Sequence, residues 1–232
     1  MPNPSLLPCD TDVLIQLFLT AAYTKSLIPL RMLKDDYGIQ PAIVAEVEAE
    51  LMQNRKFGAK FAPELRKAVG NGTLEILDTG AFAKYVPAHL AKGVFGNFQT
   101  LGLQYNKYAD RGESYTLAAA VTLQTPALSN DKSALDALDF NGMVLPTPVL
   151  RTFDLVSFCY QVGVLEEKHC DSVRKELAQR NEHVPAPFKN ASFIDGLKYF
   201  APRILDGARA RVGAVARPGP GYTAEISVTR TS

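Results

Sequence analysis

Short apolar segments alternate with helical patterns along much of the chain. Residues 5–9 form an apolar stretch, and a strongly apolar helical pattern follows at 13–19. The same order, an extended segment and then a helical one, recurs at 39–51 and at 126–138. Strands that alternate with helices in this way are typical of a parallel sheet. The pattern therefore predicts an α/β fold.

The remaining elements are predicted from the same periodicities and from the positions of proline and glycine. Pro63 is interpreted as the first residue of its helix. Helices are expected at 27–34, 63–69, 149–160, 165–179 and 193–205, and strands at 73–77 and 143–146.

Two segments lie outside this simple alternation. The stretch 81–108 is rich in aromatic, glycine and lysine residues, and a helix is one interpretation of it. Its rings are suited to stacking on single-stranded nucleic acid, or equally to a core beside a solvated lysine face. Prolines at 185 and 187 separate a main domain, 1–182, from a partly helical C-terminal extension, 183–232. This extension is expected to pack on the domain, to mediate dimerisation or to bind a partner.

Composition and charge restrict the function classes only broadly. The chain has 232 residues, of which 47% are hydrophobic, and a formal net charge of +1, so any site for a polyanion must be local. Cys9, Cys159 and Cys170 lack the spacing of a metal or disulfide site, which fits a reducing compartment. No basic leader is present, and the apolar run at 13–22 is too short to span a bilayer. These features predict a cytoplasmic protein that does not bind membranes.

Acidic residues occur at the junctions between predicted strands and helices. Asp10, Glu46 and Asp131 follow predicted strands, and Glu113 opens the helix before the strand at 126–129. Because ligands bind at the carboxyl ends of parallel strands, these four carboxylates are expected to converge. Each acid also has a local interpretation, since acids near the first turn of a helix stabilise it.

Four converging carboxylates predict a metal site. Like charges held close together repel and raise one another's pKa, and oxygen-only ligands suit the hard cations Mg²⁺ and Mn²⁺. Such a site activates water and neutralises charge on a phosphoryl group, which is the chemistry of phosphodiester hydrolysis.

The segment Asp110-Arg111-Gly112-Glu113 shows how the local and functional interpretations divide. An acid followed three residues later by Glu is the pattern of a capping box. We expect Asp110 to cap the helix and Glu113, in its first turn, to be a metal ligand.

The order of the acidic motifs resembles that of a PIN domain. The motifs are Cys-Asp-Thr-Asp-Val at 9–13, Val-Ala-Glu-Val at 44–47, Asp-Arg-Gly-Glu-Ser at 110–114 and Ser-Asn-Asp-Lys at 129–132. The third motif is similar to the branch of the family whose third acid lies in a Gly-Glu pair. The resemblance covers residues 5–180, and it implies a Rossmann-like three-layer α/β/α sandwich with a central, mostly parallel sheet, followed by the C-terminal extension.

The resemblance also implies an activity and a set of site residues. Many PIN domains are Mg²⁺- or Mn²⁺-dependent ribonucleases, among them the toxins of VapBC toxin-antitoxin pairs. The implied catalytic and metal-binding acids are Asp10, Glu46, Glu113 and Asp131. Thr11 and Asn130 are the implied supporting polar residues, and Asp12 and Asp110 are assigned to capping or to the periphery of the site.

The expected function is therefore metal-dependent endoribonucleolytic cleavage, in a toxin whose antitoxin partner would block the acidic crevice. The chain is longer than a compact PIN toxin and has the extension, so a DNA-cleaving, RNA-processing or defence-system nuclease is an alternative. A PIN-like fold without catalysis that binds protein or RNA, and a homodimeric state, are also open.

Overall fold

The chain folds as a mixed α/β protein that is mostly helical, which confirms the predicted class. The computed structural model describes residues 5–20, 27–54, 58–142 and 149–200. The strands in this part are β1 Ser5–Pro8, β2 Ile39–Val44, β3 Glu75–Leu77, β4 Ala127–Leu128 and β5 Val149–Leu150. The first six helices are α1 Thr11–Leu19, α2 Ile28–Tyr37, α3 Ala45–Gln53, α4 Gly58–Gly70, α5 Thr79–Tyr85 and α6 Ala91–Tyr105. The later helices are α7 Arg111–Leu123, α8 Lys132–Phe140, α9 Thr152–Gln161, α10 Glu167–Gln179, α11 Ala186–Lys189 and α12 Phe193–Leu197.

Every described strand pair is parallel. β2 pairs with β1 on one side and with β3 on the other, and β4 pairs with β5. A parallel bridge between Cys9 and Leu128 joins β1 to β4, so the order across the bridge is β3-β2-β1-β4-β5. The chain leaves β1 towards β2 on one side, and later returns to add β4 on the other. The position between β1 and β4 is therefore a topological switch point, where the loops at the carboxyl ends of the strands leave a crevice.

The core is built from the strands and from the helices packed on them. Leu7, Ile43 and Val44 are completely buried. Helix α7 contacts β1 and β2, and the small side chains of Ala118 and Ala119 on it are also completely buried. Small residues let a helix approach a sheet closely, which brings the first turn of α7 to the crevice. The three-layer sandwich itself stays a prediction.

Most aromatic residues of 81–108 lie in the core or pack against it, whereas Tyr108 is 37% exposed. Helices α5 and α6 bury Phe82, Phe98 and Tyr105. The ring centroids of Phe82 and Phe98 are 5.1 Å apart, and Phe98 meets Tyr115 of α7 at 5.5 Å. These rings pack on one another in the arrangement of a hydrophobic cluster, so they are not free to stack on nucleic acid bases.

The described part of the C-terminal extension packs on the main domain, one of the outcomes predicted for it. Phe188 and Phe193 are completely buried in the common core. The rings of Phe153 and Phe188 stack with centroids 4.9 Å apart, and Phe193 N donates to Asp171 Oδ1 of α10 at 2.9 Å. The core thus continues across the boundary predicted at residue 182.

Several boundaries differ from the sequence predictions. The helix predicted at 193–205 ends at Leu197 as α12. Helix α4 begins at Gly58, so Pro63 lies inside the helix rather than at its first position. An internal proline costs a helix about 3 kcal/mol. Burial of Phe61 and Leu65 on one face of α4 offsets that, at about 1.5–3 kcal/mol each. Residues 149 and 150, predicted as the start of a helix, pair with β4 as strand β5. The strand predicted at 143–146 lies outside the described residues.

Candidate functional site

Asp10 lies at the switch point, directly after β1. Its backbone N–H donates to the carbonyl of Leu128 in β4 at 2.9 Å, which fixes the residue between the two strands. The side chain is buried, with 3% of the residue exposed. Its Oδ1 atom has no hydrogen-bond partner among the described residues. A buried carboxylate oxygen without a partner is costly, so Oδ1 of Asp10 is a candidate position for a bound ligand.

Glu113 faces the same crevice from the first turn of α7. Its side chain is buried, with 1% of the residue exposed. Ser129, which directly follows β4, donates through Oγ to Glu113 Oε1 at 2.6 Å. Ser129 Oγ in turn accepts from the backbone N–H of Asp131 at 3.2 Å. The serine therefore connects two of the predicted site acids, a role that the sequence prediction missed.

The charge of Asp10 acts on Glu113, so these two buried acids are neighbours. Burial first, and then the charges of Asp10, Asp131 and Asp110, raise the pKa of Glu113 to about 9, while the hydrogen bond from Ser129 acts in the opposite direction. Burial also raises the pKa of Asp10 well above its usual range, with a smaller contribution from Glu50 among other acids.

Asp12 completes the group of acids that sense one another's charge. Its pKa is raised first by burial and then by the charges of Asp110, Glu182, Asp131 and Glu50. Six carboxylates thus contribute negative potential at this edge of the sheet: Asp10, Asp12, Glu50, Asp110, Asp131 and Glu182.

Glu50, which the sequence analysis did not select, is held at the site more firmly than Glu46. Thr11 Oγ1 donates to Glu50 Oε2 at 2.6 Å, and the backbone N–H of Gly112 donates to Glu50 Oε1 at 2.7 Å. Glu46 lies one helical turn earlier on α3, and its Oε1 is 3.7 Å from Arg111 Nη2. The structure thus brings Glu50 together with Asp10, while Glu46 forms an ion pair beside them.

Gly112 makes the position of Glu50 possible. A Cβ atom on this glycine would lie 2.4 Å from Glu50 Oε2 and 2.8 Å from its carboxyl carbon. Non-bonded heavy atoms do not approach a Cβ atom this closely. A side chain at position 112 would therefore displace the Glu50 carboxylate from its two donors.

The other predicted residues stabilise the edge of the sheet. Asp110 caps α7 as predicted, since its Oδ1 accepts from Glu113 N at 3.0 Å. Asp131 caps α8 through Ala134 N at 3.1 Å. Asn130 donates to Thr152 Oγ1 at 2.9 Å and accepts from Thr152 N at 3.1 Å. Asn130 therefore ties the loop after β4 to the start of α9 and does not hold an acid, whereas Thr11 does.

A divalent cation fits this site by chemistry, without a preassembled cage. Within the described ranges, no three His, Cys, Asp or Glu side chains are arranged to hold a metal ion. The donor set is nevertheless all oxygen, and it includes the partnerless Oδ1 of Asp10. A cation would relieve the repulsion that raises the pKa of Asp10 and Glu113. Mg²⁺ and Mn²⁺ suit such oxygen ligands.

Comparisons with protein-family models, curated proteins and solved structures find no match to this chain. The PIN-like resemblance therefore stays a prediction. Among the helices that the structure describes, none is both long and apolar enough to span a bilayer. The free thiols of Cys9, Cys159 and Cys170 are buried in the core.

Proposed function

We propose that this chain is a metal-dependent nuclease that hydrolyses RNA phosphodiester bonds as an endoribonuclease. The observation that carries the proposal is the buried Asp10 carboxylate, which lies at the switch point of a parallel sheet with one oxygen lacking any described partner. The proposal includes a PIN-like three-layer sandwich and Mg²⁺ or Mn²⁺ as the cofactor. The toxin setting, an antitoxin partner and a homodimer rest on the sequence resemblance alone.

The proposed acids are Asp10, Glu50, Glu113 and Asp131. Glu50 replaces Glu46 as the second acid because Thr11 and Gly112 fix its carboxylate beside Asp10. When bound among these oxygens, Mg²⁺ or Mn²⁺ would lower the pKa of water and offset charge on the phosphoryl group.

The chain's own residues position and tune these oxygens. Ser129 orients the Glu113 carboxyl. Burial, and then the surrounding acids, raise the pKa of that carboxyl to about 9, so it carries a proton at neutral pH in the absence of a cation. The hydrogen bond from Ser129 fixes the orientation of this one ligand in advance.

The first test is cleavage of a mixed pool of tRNA, structured RNA and single-stranded DNA. Wild type, Asp10→Asn and Glu50→Gln would be incubated with Mg²⁺, with Mn²⁺ and with chelator. Asp35→Asn is the matched control, because Asp35 is an exposed acid of α2 that pairs with Arg31. We expect metal-dependent RNA cleavage by wild type and the control, and its loss in both site variants.

Other outcomes would redirect the proposal. Cleavage of DNA alone would favour the DNA-cleaving alternative. Cleavage that persists in Asp10→Asn would show that Asp10 is not in the active site. Absence of cleavage by wild type, with no metal binding by calorimetry, would overturn the nuclease proposal in favour of a non-catalytic binding protein.

A further inference from the structure

A surface cavity of about 340 Å³ lies next to the acid site, along the exposed side of α3. Glu50 belongs to both places, because it lines the cavity and is bonded to Thr11 beside Asp10. The cavity is therefore the immediate neighbour of the proposed reaction centre. Its lining residues are Ala45, Glu46, Ala49, Glu50, Gln53 and Arg111.

Arg111 brings a positive charge to this otherwise acidic place. It is the first residue of α7, and its side chain is 68% exposed. Its Nη2 lies 3.7 Å from Oε1 of Glu46, whose side chain is only 12% exposed. The guanidinium carbon is 5.8 Å from the centre of the Tyr115 ring. A separation of 3.7 Å is too long for a well-formed hydrogen bond, so the guanidinium is aligned by its neighbours but loosely held.

A nucleic acid needs such a group at this edge of the sheet. The acids repel a polyanion, so the strand requires a cation that binds its backbone on one side of the reaction centre. Arginine suits this role because its planar fork matches a phosphate with two parallel hydrogen bonds. An exposed arginine can also exchange a weak carboxylate partner for a phosphate at little cost.

We propose that Arg111 binds a backbone phosphate of the RNA strand in this cavity, next to the phosphodiester that is cleaved. Glu46 positions the guanidinium until the phosphate of the substrate takes the place of the Glu46 carboxylate. The inference rests on the proposed function. It assigns Glu46 to holding Arg111 and not to metal binding. Arg111 is then a substrate-binding residue, and Glu46 is a positioning residue that competes with the phosphate.

The test measures binding and cleavage of one single-stranded RNA oligonucleotide. Affinity is followed by fluorescence anisotropy in chelator at several salt concentrations, and KM and kcat are measured with Mg²⁺. The variants are Arg111→Ala, Glu46→Gln and their combination. Arg31→Ala and Asp35→Asn are matched controls, because Arg31 and Asp35 form an exposed ion pair on α2. Thermal unfolding checks that every variant is folded.

We expect Arg111→Ala to weaken RNA affinity and to raise KM by about tenfold, with kcat changed by less than about twofold. Loss of one phosphate contact should also reduce the slope of log affinity against log salt by about 0.7. Glu46→Gln should tighten binding by about two- to fivefold, because the competing carboxylate is gone. The double variant should bind like Arg111→Ala, and the α2 controls like wild type.

Three results would overturn the inference. The first is an Arg111→Ala variant with the affinity or the salt dependence of wild type. The second is a double variant that binds RNA more tightly than Arg111→Ala does. The third is a Glu46→Gln variant that loses kcat at unchanged KM. The last result would return Glu46 to metal binding. If Arg111→Ala weakens RNA binding while wild type cleaves no RNA, the proposed function fails and the phosphate site stands. If wild type cleaves RNA and Arg111→Ala changes neither affinity nor KM, only the phosphate site fails.

Discussion

Carboxylates on the C-terminal helices and at the carboxyl edge of the sheet have opposite surroundings. Asp171 of α10 accepts from Phe193 N at 2.9 Å and pairs with Arg174 at 3.2 Å. Asp195 of α12 accepts from Lys198 at 2.7 Å. At the sheet edge, by contrast, the buried Asp10 carboxylate has an oxygen with no partner among the described residues. The chain thus pairs acids with donors on the C-terminal helices, and it leaves acids at the sheet edge close enough to repel one another.

The pKa shifts have opposite signs in the two regions. The hydrogen bond from Lys198 lowers the pKa of Asp195, whereas burial and neighbouring acids raise the pKa of Glu113 to about 9. Repulsion of this kind costs stability, and proteins retain it where a ligand needs the charge. The comparison therefore supports the sheet edge as the candidate functional region without reference to any known family.

Glu113→Gln is expected to have the largest effect. The amide keeps the shape of the side chain and can still accept from Ser129, but it cannot supply the negative charge for a cation. We expect RNA cleavage to fall by at least about a hundredfold. In chelator at about pH 8, the free energy of unfolding should instead rise by about 1 kcal/mol or more, because the neutral amide, unlike the carboxyl, does not have to take up a proton on folding. Cleavage assays and urea denaturation measure the two effects.

The control for Glu113→Gln is Asp171→Ala, which removes a satisfied acid from the other region. It should lower the free energy of unfolding by about 1–3 kcal/mol, since Phe193 N and Arg174 lose their acceptor. Cleavage per folded molecule should be unchanged. If both variants lost stability equally and kept activity, the two regions would not differ in the way described.

Gly112→Ala tests whether the position of Glu50 matters, without altering any charge. The new Cβ would lie 2.4 Å from Glu50 Oε2, so the carboxylate must leave Thr11 and the backbone of residue 112. We expect cleavage to fall by about ten- to a hundredfold and the free energy of unfolding to fall by about 1–3 kcal/mol. The same measurements apply.

Gly96→Ala is the matched control for Gly112→Ala. A Cβ at Gly96 of α6 meets nothing within 4 Å, so alanine should stabilise this helix by about 0.5–1 kcal/mol and leave cleavage unchanged. If Gly112→Ala behaved in the same way, the close approach to Glu50 would have no functional role.

The difference between Glu50 and Glu46 shows where sequence reasoning stops. Asp10 and Glu113 could be predicted because the end of a strand and the start of a helix are local patterns. Glu46 and Glu50 lie on the same side of α3, four residues apart, so helical periodicity cannot choose between them. The choice is made by Thr11 and Gly112, which are 39 and 62 residues away from Glu50 in the chain. Contacts at that separation leave no local signal.

For the fold, too, local patterns were predictable and long-range contacts were not. Alternating strand and helix patterns predicted the parallel arrangement of β1 with β2, because each pattern is several residues long. Strand β5 has only two residues, too few to show a periodicity, and its partner β4 lies more than 20 residues earlier in the chain. Pro63 was predicted to be the first residue of its helix, whereas α4 begins earlier, at Gly58. The burial that stabilises α4 on both sides of Pro63 cannot be seen in a local pattern.

The pH dependence of stability should distinguish the two regions as well. Glu113 has a pKa of about 9 when folded against an ordinary value of 4.5. Between these values the folded state keeps a proton that the unfolded state has lost, so rising pH favours unfolding. In chelator, wild type should lose about 1 kcal/mol or more across this window. The loss should be smaller in Glu113→Gln.

The pH dependence of metal affinity should have the opposite sign to the pH dependence of stability. Because a cation must displace the proton from Glu113, Mn²⁺ should bind more tightly as pH rises and should release protons on binding. Titration calorimetry in buffers of different ionisation enthalpy measures that release. Metal affinity independent of pH, or equal pH profiles for wild type and Glu113→Gln, would contradict the shared acidic environment of Asp10 and Glu113.

Asp110→Asn is expected to have the smallest effect, although the residue lies three positions from Glu113. Its Oδ1 accepts from Glu113 N at 3.0 Å, and asparagine caps helices about as well as aspartate. The loss of a negative charge at the start of α7 costs about 0.3–1 kcal/mol, and relief of repulsion with Asp10 offsets part of it. We expect a free energy of unfolding lower by about 0.5 kcal/mol or less, and cleavage within about twofold of wild type.

Asp110 and Glu113 allow a structural acid and a proposed ligand to be compared at the shortest distance, because both acids lie at the start of one helix. Asp110→Ala removes the cap itself and should cost about 1 kcal/mol, still with little loss of cleavage. A large loss of cleavage in Asp110→Asn with unchanged stability would place Asp110 among the ligands. A small loss of stability with retained cleavage would show that one acid of this pair stabilises the helix, while the other, held by Ser129 against the sheet, performs the chemistry.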